Sequence, residues 1–218
     1  MCQKLELVSY YKPNSQCVSN HIKNMIAIKS PATSIELSIN LTDEQFFQLC
    51  QNNRDYQFER TALGELIIMA PTGSETSKRN MDLSYQLRAW SRQNNLGVAF
   101  DSSGGFTLPN GADRSPDASW VKKERWDALT PEQKDSFAPL CPDFVVELRS
   151  KTDSLKKLQD KMQEYIDNGA RLGWLIDRQN RRVEIYRPDR EVEIIENPAT
   201  LSGEDVLPGF VLDLVEIM

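Results

Sequence analysis

The stretch Pro142-Asp143-Phe144-Val145-Val146-Glu147-Leu148-Arg149-Ser150 begins on a turn-forming Pro-Asp and continues through apolar and β-branched residues. It reads as a buried strand, Asp143 to Arg149, except that Glu147 stands where another valine is expected. Taking a carboxylate out of water costs on the order of several kcal/mol unless a partner or a cation compensates. Glu147 is therefore either paired or functional, and the rest of the chain is read outward from it.

Downstream, a turn at Lys151-Thr152-Asp153 leads into a helix over 154–168 that Gly169 closes. Its stripe of Leu155, Leu158, Met162, Tyr165 and Ile166 packs on a sheet. Strands follow at Leu172 to Asp177 and Arg182 to Arg187, then at Val192 to Ile195, with a closing apolar run at Phe210 to Val215. A helix between the Glu147 strand and the next one can serve as a right-handed crossover, which makes those two strands parallel.

Upstream, Arg114 to Val121 reads as one strand, followed by a charged insertion over 122–140 that is partly helical and broken at Pro131 and Pro139. Val98 to Asp101 and Phe106 to Leu108 are short strands around a Ser-Ser-Gly-Gly turn, whose glycines match no phosphate-binding pattern. Ser74 to Asn95 is a long helix with Leu83, Leu87 and Trp90 on one side. Before it come a hairpin, Tyr56 to Glu59 with Glu65 to Ala70, and a short helix over Thr42 to Cys50 capped by Thr42. Residues 1–30 lack a sustained period and read as a poorly ordered peripheral arm, with Met25 as an alternative start, and 31–218 as a single domain. The pattern is α/β with a mixed sheet whose earlier strands are antiparallel.

With 218 residues, 39% hydrophobic and 27% charged, the chain has the balance of one soluble globular domain. No apolar run approaches the roughly 18 residues of a membrane span, and the first residues lack the apolar core of a signal peptide, so a cytoplasmic location without membrane contact is expected. Four dispersed cysteines and a single histidine, His21, disfavour zinc chemistry and a histidine-based triad. A net charge of −6 argues against non-specific coating of nucleic acid. The segment from Arg149 to Lys161 is nevertheless locally basic, with five cations against two acids. Lys78 and Arg79 form a second basic pair that either lies on a solvated helix face or contacts phosphates.

Asp117 precedes Glu147 by thirty positions, each on an expected strand, with an insertion between them long enough to let the strands pair. Two carboxylates brought together repel, and a hard divalent cation, magnesium or manganese, relieves the repulsion. Asp117, Glu147, a backbone carbonyl such as that of Leu148, and water form a candidate ligand set for phosphodiester hydrolysis; the alternative is two unrelated carboxylates, each paired with a base. Two cations compete to support it. Arg149 shares the strand face of Glu147 by period-two geometry. Lys161 lies roughly 90° from the centre of the helical stripe, next to Tyr165, and can lean over the sheet end. Glu75 either offsets the dipole at the start of the long helix or reaches a metal-bound water or the substrate. Asp143 either caps the turn before the strand or joins the site.

Ser115-Pro116-Asp117, the stretch quoted above, Lys161-Met162-Gln163-Glu164-Tyr165 and Gly173-Trp174-Leu175-Ile176-Asp177 together resemble the bacterial restriction endonuclease family of the Uma-two type, within the PD-(D/E)XK nuclease superfamily. The resemblance covers about Leu41 to Val215. It implies a restriction-endonuclease-like core, a mixed central sheet flanked by helices with an N-terminal helix and hairpin. It further implies a metal-dependent enzyme in which Asp117 and Glu147 are the acidic ligands and Glu75 is a candidate auxiliary acid. Arg149 stands where the superfamily pattern has a lysine, and the resemblance brings the lysine instead from the next helix, at Lys161. The expected activity is hydrolysis of DNA by a homodimer, since cutting a duplex takes two events. The alternatives are a nuclease acting on RNA or branched DNA, and an inactive nuclease fold kept as a binding or interaction module.

Overall fold

The computed structural model describes residues 34–39, 41–69 and 71–218; the arm expected over 1–30 lies outside them. In chain order the elements are β1 (Ser34–Ser38), α1 (Asp43–Asn52), β2 (Gln57–Arg60), β3 (Glu65–Met69), α2 (Ser74–Asn94), β4 (Gly97–Asp101), β5 (Phe106–Thr107), β6 (Asp113–Arg114) and β7 (Ala118–Lys122). There follow α3 (Lys123–Asp127), α4 (Pro131–Lys134), β8 (Phe144–Leu148), α5 (Leu155–Asp167), β9 (Leu172–Asp177), β10 (Arg182–Tyr186), β11 (Glu193–Glu196), β12 (Thr200–Ser202) and β13 (Val211–Asp213).

The strands form a six-stranded sheet in the order β11-β10-β9-β8-β7-β4, a five-stranded sheet in the order β1-β3-β2-β6-β5, and a ribbon of β12 and β13. In the larger sheet only β8 and β9 run parallel, as the α5 crossover requires. β8 is buried along its whole length, and alternate residues serve different layers. Phe144, Val146 and Leu148 pack with Leu83, Leu87 and Trp90 of α2, whereas Val145 joins Met162 and Tyr165 of α5. Glu147 has the parity of Val145 and so faces α5. The spacing of one acidic residue within an apolar strand thus decides which helix it meets.

Two local expectations change. Arg114 to Val121 is not one strand: β6 belongs to the smaller sheet and β7 to the larger. Pro116, which lacks an N–H, sits in the link and cannot continue a ladder. Asp117 is therefore at the crossing between the two sheets rather than inside a strand. Pro131 opens α4 instead of breaking a helix, with Thr130 as N-cap and Gln133 completing a capping box. The smaller sheet as a whole, including β1, goes beyond the expected hairpin, because strands of two to five residues are too short for alternation to stand out.

Helix α5 is set by its N-cap and by its floor. The Ser154 hydroxyl accepts from the Lys157 N–H, and Gly169, at φ +107°, turns the chain back towards β9. Met162 is fully buried over Gly173, where a Cβ would come within 2.5 Å of the Met162 methyl. That glycine lets the helix approach the sheet, and Lys161 and Tyr165 are carried with it. Met162→Ala is expected to cost about 2–5 kcal/mol in a urea unfolding measurement, as for other buried methionines. An unchanged unfolding free energy would show that α5 is not anchored there.

Candidate functional site

A cleft of about 950 Å³ opens where the C-terminal end of β8 meets the first turns of α2 and α5 and the faces of β2 and β3. The ends of parallel strands are the usual place for a ligand in an open α/β sheet. Asp117, Glu147, Leu148 and Lys161 all line it, and Glu75 stands on its wall.

At its floor, Lys161 Nζ lies 2.7 Å from Glu59 Oε1 and 2.8 Å from Glu147 Oε1. The Tyr165 hydroxyl, one helical turn on, donates to the same Glu147 oxygen at 3.0 Å. Both donors thus converge on Oε1, and among the described residues no hydrogen bond reaches Glu147 Oε2. Asp117 is held by the Asn80 amide, which donates to Oδ1 at 2.8 Å, and by the Leu148 N–H, which donates to Oδ2 at 2.8 Å. That second bond ties Asp117 to the strand of Glu147. Asn80 Oδ1 remains a buried acceptor without a partner among the described residues.

Glu59, from β2, is the residue that sequence reasoning missed. It is 3% exposed and accepts from the Ser115 N–H at 3.0 Å, from Lys161, and from Arg114 at 3.1 Å. Arg114 in turn donates to Glu164 at 2.6 Å. The sequence carried little signal, since the expected strand ended at Glu59; only the structure shows Glu59 and Arg60 both buried, so that both faces of β2 are covered and both charges must be paired. Tyr165 had a different problem, since its place in the apolar stripe hid a hydroxyl aimed at Glu147.

The electrostatics follow from this packing. Burial, opposed by Lys161 but reinforced by the charges of Asp117 and Glu59, pushes Glu147 up to about 7. Burial likewise raises Asp117 above the usual carboxylate range, even though Leu148 N–H, Lys161 and Asn80 favour its charged form. Glu59 goes the other way: burial is outweighed by Lys161 and Arg114, which hold it below its ordinary value. Burial disfavours the charge on Lys161, yet Glu147 and Glu59 more than offset this, so the lysine stays protonated.

Arg149 does not join the site. β8 ends at Leu148, so strand alternation no longer governs position 149, and the guanidinium turns to the buried Asp177 at 3.0 Å and to the Asp153 carbonyl at 3.3 Å. Asp143 also stays apart, accepting from the Lys122 N–H and pairing with Arg125 at the other end of β8. Glu75 is exposed and pairs with Arg79 at 2.9 Å, one turn along α2. Its hydrogen bonds and ion pairs do not reach Asp117 or Glu147.

Among the described residues no group of three His, Cys, Asp or Glu side chains is arranged to hold a metal ion. The donors available to a cation are two buried carboxylates, of which Asp117 raises the pKa of Glu147 and Glu147 keeps an oxygen free of protein donors, together with backbone carbonyl and water. Such hard oxygen donors fit magnesium or manganese, which keep several waters and take only one or two carboxylates.

No helix among the described residues is long and apolar enough to cross a membrane. No curated protein matches the chain. Among solved structures, it is similar to a protein from Anabaena variabilis ATCC 29413 described as a "putative nuclease belonging to DUF820", with a TM-score of 0.66 and 20% identity over 81% of this chain and 97% of that one. At that identity the likeness bears on the fold, a nuclease-type arrangement of mixed α/β layers. The family model described as "Uma2: Putative restriction endonuclease" matches residues 43–215, which is most of the sequence and contains every site residue named above, and the chain belongs to that Uma2 family.

Proposed function

We propose that this protein is a metal-dependent endonuclease that hydrolyses phosphodiester bonds of DNA. The observation that carries the reading is the meeting of Asp117, Glu147 and Lys161 on the floor of one cleft, at the end of the parallel strand pair. Asp117, Glu147 and the Leu148 carbonyl would hold magnesium or manganese. Such an ion supplies a Lewis acid for the phosphoryl oxygens and water of lowered pKa.

The chain's own groups have separate tasks. Lys161, kept charged by two carboxylates, presents a fixed cation where negative charge develops on the phosphoryl group. Glu59 positions that lysine, and Tyr165 fixes the rotamer of Glu147, so that Oε2 faces the cleft. Arg149 holds the turn after β8 through Asp177. Two copies acting on opposite strands would complete a double-strand cut, which is the reason to propose a homodimer. A second reading, an inactive fold kept for binding, is favoured by one observation: Lys161 is already paired with both Glu59 and Glu147, so the charge of the lysine is satisfied by protein alone.

Supercoiled plasmid incubated with the protein and magnesium is expected to be nicked, and Asp117→Asn, Glu147→Gln or Lys161→Gln each to slow nicking by about 10²–10³-fold. Arg149→Gln is expected to lower the melting temperature yet keep the nicking rate. No nicking by the wild type, or nicking that survives the two carboxylate substitutions, overturns the reading.

Manganese is expected to raise the melting temperature of the wild type and not of Asp117→Asn; no rise in either favours the binding module.

The metal-free protein should also report the Glu147 environment. Its folded pKa of about 7 lies above the 4.5 of an unperturbed glutamate, so the folded state binds the extra proton. The associated stability is fully present below pH 4.5 and is lost as pH rises through 7. In urea unfolding with a chelator present, the wild type is expected to lose stability across that window relative to Glu147→Gln. Parallel pH profiles would contradict the assignment.

A further inference from the structure

One pair of cations in the cleft has no task in the reaction outlined above. Arg79, on the second turn of α2, and Arg178, in the turn after β9, both line the cleft that holds Asp117, Glu147 and Lys161. Arg79 donates to the Glu75 carbonyl at 2.8 Å and pairs with its carboxylate at 2.9 Å, but its Nε is buried without an acceptor. The Arg178 side chain is half-buried and makes no hydrogen bond or ion pair among the described residues, and its Nε is likewise a buried donor without an acceptor. Burial, and then the positive charge of Arg79, lower the Arg178 guanidinium below its ordinary pKa.

This arrangement is unfavourable as it stands. A buried N–H without an acceptor forfeits its hydration, and two guanidinium groups near each other add repulsion. Other buried arginines of this chain are paired: Arg60 with Asp43 and Asp113, Arg114 with Glu59 and Glu164. Arg149 has Asp177. Arg182 Nε also lacks an acceptor, but that guanidinium is paired with Glu184. Arg178 has no ion pair among the described residues and stands on the cleft wall, where a ligand can supply what the protein does not.

We propose that Arg79 and Arg178 form a phosphate subsite, binding a backbone phosphodiester of DNA beside the one positioned at Asp117, Glu147 and Lys161. Planar guanidinium forks match the paired oxygens of a phosphate, and one anion between them satisfies both free Nε donors and removes the repulsion. Glu75 gates the subsite, because its carboxylate occupies Arg79 until a phosphate competes for it. The assignment of the ligand as nucleic acid rests on the nuclease reading; the anion specificity rests on the arginines alone.

The test is fluorescence anisotropy of a short labelled DNA duplex with chelator present, so that no cleavage intervenes, across a salt series. Arg79→Gln and Arg178→Gln are each expected to weaken binding by about tenfold and to reduce the salt slope by about one. Arg178→Lys should recover part of the loss, and Glu75→Gln should tighten binding by freeing Arg79. A structural role for Arg178 predicts a lower melting temperature for Arg178→Gln, whereas the subsite predicts a melting temperature equal to the wild type or higher. Unchanged affinity and slope in both arginine variants, in a wild type that binds the duplex, overturn the subsite and leave the nuclease reading in place. Binding that depends on the two arginines in a protein that fails to nick plasmid supports the subsite and overturns the nuclease reading. A wild type that does not bind the duplex overturns both.

Discussion

Glu147 occupies the fourth position of a five-residue strand with no exposed side chain, and the site is organised around holding that carboxylate in place. Lys161 compensates it while being shared with Glu59, and the sharing propagates. Glu59 is buried too and needs Arg114 and the Ser115 N–H; Arg114 needs Glu164, which lies on α5 beside Lys161. The result is a line of alternating charges from β2 and β6 of the smaller sheet, through α5, to β8 of the larger one. Breaking such a line at one member leaves a buried charge unpaired, which costs about 3–5 kcal/mol, whereas the intact line adds little net stability. Its effect is therefore on register: the two sheets and α5 have one relative placement in which every charge has its partner.

The origin of the lysine follows from where β8 stops. Arg149 leaves the strand direction because Asp177, at the end of the neighbouring β9, captures its guanidinium, and because the Ser150 N–H turns back to the Asp153 carboxylate. A side chain at 149 thus serves the turn and cannot lean over the cleft. On α5, by contrast, a lysine one turn before Tyr165 runs its stem past the phenol ring, its Nζ 5.8 Å from the ring centre, and arrives between the two acids. Moving the cation from strand to helix keeps the charge in the same cleft while giving it a route with more freedom and a different backbone anchor.

Much of this was legible in the residues. The α5 stripe, the α2 side of Leu83, Leu87 and Trp90, and the parallel pairing across α5 all follow from period and connection length. So did Glu147, because a charge inside an apolar run has few explanations, and Lys161, because the edge of a helical stripe is where a stem can be buried and a head kept polar. What was not legible depended on contacts between segments far apart in sequence. Glu59 lies 102 positions from Lys161, in a strand of four residues whose own period carries no information about its partner. Asp117 lines the cleft, but in surroundings other than those expected: Pro116 marks the crossing between sheets, and one proline between two β-rich pieces reads equally well as the start of a strand. Arg178 could not be distinguished from the other arginines of its turn, because its distinction is the lack of a partner, which no sequence displays.

Charge balance gives the cleft its final constraint. Nine acidic and six basic side chains line it, so a polyanion approaching the apo protein meets a net negative wall. Of the six cations, Arg114 and Lys161 are committed to Glu59, Glu147 and Glu164, and Lys157 pairs with Glu36. What remains to attract phosphate is Lys151 and Arg178, joined by Arg79 once it gives up Glu75. On the proposed reading, a divalent ion at Asp117 and Glu147 cancels two of the three excess negative charges, and it does so at the depth where the scissile phosphate must arrive. Without it, protonating Glu147 relieves only one of those charges, which its position near neutrality permits but which removes a ligand. Cation binding and phosphate binding are then coupled through one pair of carboxylates: the ion makes the floor hospitable to the backbone, and the arginines on the wall hold the neighbouring phosphate while it does.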